Sequence, residues 1–125
     1  MTFKGTVIFN GTVLSGLVTK YGFNETRREI LGPNESVARS GAGIDDTRAV
    51  KFDPTYTLIP LTPAQVAIVW NLASLKGYRT LKYTDATGAL KSVQARLHVQ
   101  GGAQLVMDTS ERTLYDGIVL YFEVK

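Results

Sequence analysis

Residues 62–77 read TPAQVAIVWNLASLKG, and the rest of the chain is arranged around them. Thr62 suits an N-cap, because its hydroxyl can accept a hydrogen bond from an unpaired N–H of the first turn. Pro63 follows at the first helical position, where a missing N–H costs nothing. Gln65 stands three residues after Thr62 and can complete a capping box. Lys76 suits the carbonyl end of the helix dipole, and Gly77 can adopt the left-handed conformation that closes many helices. Inside the stretch, Val66, Val69, Trp70 and Ala73 follow the i, i+3, i+4, i+7 spacing of one buried face. Ile68, Leu72 and Leu75 predict a second apolar stripe on roughly the opposite side. Burying a large apolar side chain is worth about 1.5–3 kcal/mol, so a helix apolar on two sides needs a cover on each. The first cover is a sheet. For the second we expect the chain's own long loop or a neighbouring subunit.

The segments flanking this helix read as strands. Phe3 to Phe9 is a strand, and Asn10-Gly11 signals a tight hairpin turn with positive φ at both central residues. Thr12 to Val18 returns, with a bend at Ser15-Gly16. Residues 23–31 are polar with apolar ends and predict an edge strand, whose charges discourage edge-to-edge aggregation. Residues 32–47, GPNESVARSGAGIDDT, form a glycine-rich loop of a length that is usually functional or disordered. Residues 48–59 alternate again, interrupted at Asp53-Pro54, so the strand is bulged, split or at an edge. After the helix, 78–84 and 90–99 form a hairpin around a turn at 85–88. Gly101-Gly102 opens a second loop running to about Arg112. Residues 114–124 carry apolar residues on both faces, which suits a central strand. This makes about six or seven strands and one helix, with hairpins dominating and the pairing mainly antiparallel. We therefore expect a single mainly β domain over 1–125, an antiparallel β-sandwich or open barrel flanked by one α-helix at about 62–77.

Composition narrows the chemistry. The 125 residues are enough for a core without staples, and there is no cysteine, which removes thiol chemistry and disulfides. One histidine, His98, makes an imidazole or thiolate metal site a poor expectation. A formal charge of +3 fits solubility and does not demand nucleic acid. The basic residues are scattered rather than gathered with stacking aromatics, so specific nucleic-acid binding is not expected. No run approaches the roughly 18 apolar residues of a membrane span, and MTFKGTVIFNG lacks the continuous apolar core of a signal peptide. Asp45-Asp46 has no third acidic ligand nearby. Gly41-Ala42-Gly43 lacks the Gly-Lys-Ser/Thr of a phosphate loop. His98 sits on the outward face of a strand, and no motif supplies it with a nucleophile and carboxylate. No catalytic, cofactor-binding or metal-binding residue is expected. Two features are left over, a doubly apolar helix and a long glycine-rich loop, and both suit a protein whose work is assembly.

The opening Val7-Ile8-Phe9-Asn10-Gly11-Thr12-Val13-Leu14 resembles the N-terminal hairpin of distal tail proteins of long-tailed bacteriophages. The later block is similar in plan: Pro60-Leu61-Thr62-Pro63-Ala64-Gln65-Val66 opens one helix, and Leu81-Lys82-Tyr83-Thr84-Asp85 leads into a turn at Gly88. The closing strand Gly117-Ile118-Val119-Leu120-Tyr121-Phe122-Glu123-Val124 matches in style. The resemblance covers most of the chain as an order of elements, while the loop at 32–47 and the lack of an added C-terminal domain depart from it. It implies a β-sandwich with one helix, assembled with copies of itself as a hexameric ring around a tail channel. It also implies contacts with other phage tail proteins, within a virion tail assembled in the host cytoplasm. On this reading the intersubunit contacts come from Arg27 and Arg28 on the edge strand and from Arg39, Ile44 and Arg48 in and beside the loop. Ile68, Leu72 and Leu75 on the helix complete the set. A reading of a different class is a monomeric ligand-binding β-barrel with Trp70, Tyr83 and Tyr121 lining a cavity.

Overall fold

The computed structural model describes residues 3–31 and 47–125. The protein is mainly β, with one large antiparallel sheet and one α-helix. Among the described residues nine strands form in chain order: β1 (Val7–Phe9), β2 (Thr12–Val13), β3 (Val18–Leu31), β4 (Thr47–Leu58), β5 (Arg79–Thr84), β6 (Leu90–Gln100), β7 (Gln104–Asp108), β8 (Thr113–Asp116) and β9 (Val119–Val124). The helix, α1 (Pro63–Ala73), lies between β4 and β5. Seven strands make one sheet in the order β2-β1-β5-β6-β9-β4-β3, and β7 pairs with β8 alone.

The sheet curls into an open barrel. Alternate residues along β1, β4, β5, β6 and β9 point to one interior, where Val7, Phe9, Tyr56, Leu58, Leu81 and Leu120 are buried. Phe122 packs between Phe9 and Tyr56 with ring centroids 5.1 Å and 5.8 Å away. The ends of the sheet are β2 and β3, and side chains tie β3 across to β5, the third strand from the other end. The Tyr83 hydroxyl on β5 donates to Glu25 on β3 at 2.8 Å, and the Ala86 N–H donates to the same carboxylate at 3.2 Å. Between these ends the chain from β2 to β3 makes the seam. The Leu14 N–H donates to the Val7 carbonyl at 2.8 Å, and the Ile59 N–H to that of Leu17, also at 2.8 Å.

Asn10 and Gly11 have φ of 51° and 83°, as the Asn-Gly hairpin signal predicts. The bend at Ser15 is a turn of 3₁₀ helix over Ser15–Leu17. Strand β3 is indeed an edge, and β9 is central, hydrogen-bonded to β6 on one side and β4 on the other. Residues 32–46 lie outside the described residues.

Four readings need correction. The closing strand expected over 114–124 is broken at Gly117-Ile118 into β8 and β9, and β8 pairs with β7 rather than joining the large sheet. The second loop, expected to run from Gly101 to about Arg112, is instead the β7–β8 hairpin, with Asp108 opposite Thr113. The helix stops at Ala73 rather than near Gly77. Ser74 is its C-cap, with its N–H and its hydroxyl both donating to the Trp70 carbonyl. Its start is as expected, with Thr62 accepting from the Gln65 N–H at 3.4 Å and Gln65 accepting from the Thr62 N–H at 3.0 Å. The two-stripe division of the helix also fails. Val66, Val69 and Leu72 are the buried residues, Ala73 and Leu75 pack against the same core, and Ile68 and Trp70 are exposed. With Leu72 and Leu75 covered by the barrel's own core, the buried face is one band centred on Val69.

Asp53-Pro54 does not end β4 but changes its partner. Strand β4 pairs with β9 only from Thr55 to Thr57, while its pairing with β3 continues down to Thr47. Pro54 has no N–H to offer a ladder. Below it, side chains replace the missing β4–β9 bonds. The Val124 N–H donates to Asp53 Oδ1 at 3.0 Å, and Arg28 Nη2 donates to the Val124 carbonyl at 2.6 Å. Arg28 Nε meets Asp53 Oδ2 at 2.7 Å, and the Tyr121 hydroxyl donates to the same oxygen at 3.0 Å.

Asp53 is 2% exposed, so its charge is tolerated because all of these donors converge on it. Arg28→Ala should therefore cost about 3 kcal/mol, since it leaves a buried carboxylate without its counter-charge; urea denaturation followed by circular dichroism measures this. Burial by itself pushes the Asp53 carboxyl up, but the Arg28 hydrogen bond, the Val124 N–H, the Tyr121 hydroxyl and the Arg28 charge together hold it below the ordinary carboxylate range. A carboxyl depressed in the folded state contributes stability above its unfolded value and loses it as the pH falls through the folded one. Stability should therefore drop as the pH is lowered from about 4, and Asp53→Asn should flatten that part of the profile, as read from thermal melts across the acid range.

Candidate functional site

The described surface has two features that the core does not account for, one at each end of strands β6 and β9. At the first end the chain leaves the barrel as β7–β8. Gly101 and Gly117, with φ of 74° and 94°, stand where the two crossings touch. A Cβ on Gly101 would lie 2.5 Å from the Gly117 carbonyl oxygen, so a side chain there would push the hairpin off the barrel. The hairpin is anchored to the lead-in of the helix by a two-way bridge. The Leu61 N–H donates to the Tyr115 carbonyl at 2.7 Å and the Tyr115 N–H to that of Leu61 at 2.8 Å.

Beyond this anchor β7 is exposed on both faces, with Leu105 at 49%, Val106 at 51% and Met107 at 39%. An isolated two-stranded hairpin is marginal in water, and three successive apolar residues left exposed on one are a surface awaiting a partner. At its base a groove of about 310 Å³ runs between the helix and the hairpin, lined by Pro63, Val66, Ala67, Trp70, Ala103 and Tyr115. Trp70, expected as a core anchor, is 39% exposed and forms one wall of this groove. The hairpin is also acidic, carrying Asp108, Glu111 and Asp116 against Arg112.

At the opposite end β3 and β4 run past the barrel. Val50 and Phe52 continue the inward alternation of Pro54, Tyr56 and Leu58, but with less barrel beneath them, and each is 37% exposed. Together with Val93 and Val124 they line an open groove of about 410 Å³. Lysines 51, 91 and 125 also border it. Lys91 lies over the Phe52 ring at 4.8 Å from its centroid and 3.0 Å from Asp85. Asp85, itself buried, accepts at one oxygen from the Thr87 hydroxyl and the N–H groups of Thr87 and Ala89. The Thr87 hydroxyl, the Lys91 ammonium and these N–H groups hold its carboxyl well below the ordinary range.

The residues expected to make intersubunit contacts do not gather into one patch. Arg27 pairs with Glu29 at 2.6 Å on the exposed edge strand. Arg28 is engaged internally with Asp53 and Val124. Arg39 and Ile44 lie outside the described residues, as do Asp45 and Asp46. Arg48 is placed in β4, and its side chain is outside the described set. On the helix Ile68 is exposed, whereas Leu72 is buried and Leu75 partly so. His98 lies on the outer face of β6, 3.1 Å from Glu123 and stacked on Tyr121 at 5.7 Å between centroids. The three aromatics of the ligand-cavity reading are also apart. Trp70 borders the helix groove, Tyr83 is buried against Glu25, and Tyr121 reaches Asp53. Among the described residues no group of three His, Cys, Asp or Glu side chains could hold a metal ion, and no helix is long and apolar enough to cross a membrane.

Two surface features were missed in the sequence, the β7–β8 hairpin and the groove under β4. The first had a signal in the run Leu105-Val106-Met107 between paired glycines and the polar stretch 108–112. The second had none, because it depends on β4 outrunning β9.

The helix tests this division of surface and core. Leu72→Ala should destabilise by about 2–4 kcal/mol, while Ile68→Ser should change stability by no more than about 0.5 kcal/mol; both are read from chemical denaturation midpoints.

A scan against protein-family models found no match, and searches of the curated proteins and of the solved structures returned no significant match.

Proposed function

We propose that the protein is a structural subunit that works by self-assembly and protein–protein contact, of the kind that builds the tails of long-tailed bacteriophages. The observation that carries this reading is the β7–β8 hairpin. It buries little of its own apolar surface, is held to the barrel at its base, and exposes Leu105, Val106 and Met107 together. Such a strand gains stability by burial against another chain. The order of elements supports the phage-tail assignment: an Asn-Gly hairpin, a long two-stranded ribbon of β3 and β4, one capped helix, then a second hairpin and a central closing strand. On this reading the chain acts as a ring subunit, hexameric in the tails it resembles, within the virion and in contact with other tail proteins.

The alternative of a monomeric ligand-binding barrel has less support. Its interior is occupied by Phe122 packed between Phe9 and Tyr56, and the aromatics expected to share a cavity do not. The two readings separate on mass. Light scattering of the purified chain over a hundredfold concentration range should show association, and negative-stain electron microscopy should show rings or stacked particles. A monomer at every concentration, with no particles on the grid, overturns the proposal.

A further inference from the structure

The two unexplained surfaces are complementary in chemistry and opposite in position. The β7–β8 hairpin is apolar and acidic, with Leu105, Val106 and Met107 beside Asp108 and Glu111. The groove beneath β4 is apolar and basic, with Val50, Phe52 and Val93 bordered by Lys51, Lys91 and Lys125. Outside residues 104–116 the chain is more basic than its overall charge of +3 suggests, because three of its eleven carboxylates but one of its fourteen cationic side chains lie in that segment. Lys51 and Lys125 have no carboxylate partner among the described residues.

Position excludes an internal match. Strand β6 enters at the groove, where Val93 and Gln94 line it, and leaves at Gln100 toward the hairpin. Strand β9 runs the other way, from Val119 beside the hairpin to Val124 at the groove. From Gln94 to Gln100 the strand spans about 20 Å at the usual rise per residue, and the hairpin projects farther from that end. A copy therefore cannot seat its own hairpin in its own groove, but it can offer each to a different neighbour.

We infer that the β7–β8 hairpin of one copy docks into the lysine-bordered groove beneath β4 of the next, so that copies join head to tail along the barrel's strand direction. This deepens, and rests on, the self-assembly reading above. The apolar residues of the hairpin replace solvent over Phe52 and Val50, while Asp108 and Glu111 meet Lys51 and Lys125 at the rim. The two surfaces differ, so the contact is heterologous. Each added copy presents a fresh hairpin at one end and a fresh groove at the other, and growth ends only if the rotation closes a ring. The rim charges set the register and speed the encounter, and the apolar centre holds it.

The test uses the full chain and two charge-reversal variants, Asp108→Lys with Glu111→Lys on the hairpin and Lys51→Glu with Lys125→Glu in the groove. Circular dichroism melts first establish that each variant is folded. Sedimentation velocity should then show each variant alone associating on the order of tenfold more weakly than the parent chain. A chain carrying all four substitutions should recover association, because the charges are exchanged between the two surfaces. A third variant, Val106→Asp, should lose association without charge rescue. Mixing the Val106→Asp chain with a groove-blocked Phe52→Asp chain should yield a one-to-one complex and nothing larger, because one intact hairpin and one intact groove remain between them. If the parent chain assembles and all of these variants assemble equally well, the hairpin–groove contact is wrong while self-assembly stands. If the parent chain stays monomeric throughout, the self-assembly reading fails first and this inference with it.

Discussion

The contact on which the architecture turns is the one made by Asp53 and Arg28 around the end of β9. A β-strand can leave its neighbour only where the abandoned backbone groups find other partners, because an unpaired buried N–H or carbonyl costs about as much as a lost hydrogen bond. Pro54 ends the ladder between β4 and β9, and Val124 is left with both of its groups unsatisfied on that side. Asp53 accepts from its N–H and Arg28 donates to its carbonyl, so one ion pair does the work of two ladder bonds. That substitution lets β4 continue with β3 as a two-stranded ribbon beyond the barrel. The groove beneath Phe52 and Val50 lies on this part of β4, past the last residue that pairs with β9.

The other end of the barrel is shaped by a different constraint, the close approach of Gly101 and Gly117. Both take positive φ, and a side chain on Gly101 would collide with the opposing carbonyl. The chain can therefore cross on itself and project β7–β8 away from the barrel, where the bridge between Leu61 and Tyr115 fixes the hairpin against the start of the helix. The helix then has two duties. Its Val66, Val69 and Leu72 face closes the core, and its Trp70 side forms a wall beside the hairpin's base. Order at one end and splay at the other give the molecule two unlike poles, which is the geometry head-to-tail assembly needs.

Local chemistry made much of this legible in the sequence. The Thr62–Gln65 capping box, the Asn10-Gly11 turn, the Asp85 turn and the period-two strand at 90–99 all depend on residues a few positions apart, and such signals survive folding unchanged. The edge position of β3 and the central position of β9 were also readable, one from its charges and the other from apolar residues on both faces. The mainly β class with one flanking helix followed from these.

What the sequence could not determine was which of several apolar residues the fold would choose to bury, and which strands would outrun their neighbours. Trp70 and Leu72 are both apolar and lie on nearly opposite sides of the helix; the core beneath takes Leu72 and leaves Trp70 at the surface. Arg28 and Asp53 are 25 residues apart, and nothing in either segment marks them as partners until β3 and β4 pair. The stretch 101–112 read as a loop because its apolar residues, Leu105-Val106-Met107, are consecutive rather than alternating, the pattern of a strand exposed on both faces. The sequence by itself therefore determined the elements and the fold class, through short-range hydrogen bonding and hydrophobic period. Tertiary structure alone decided the poles and the grooves, because those arise from differences in strand length that only pairing across the sheet creates.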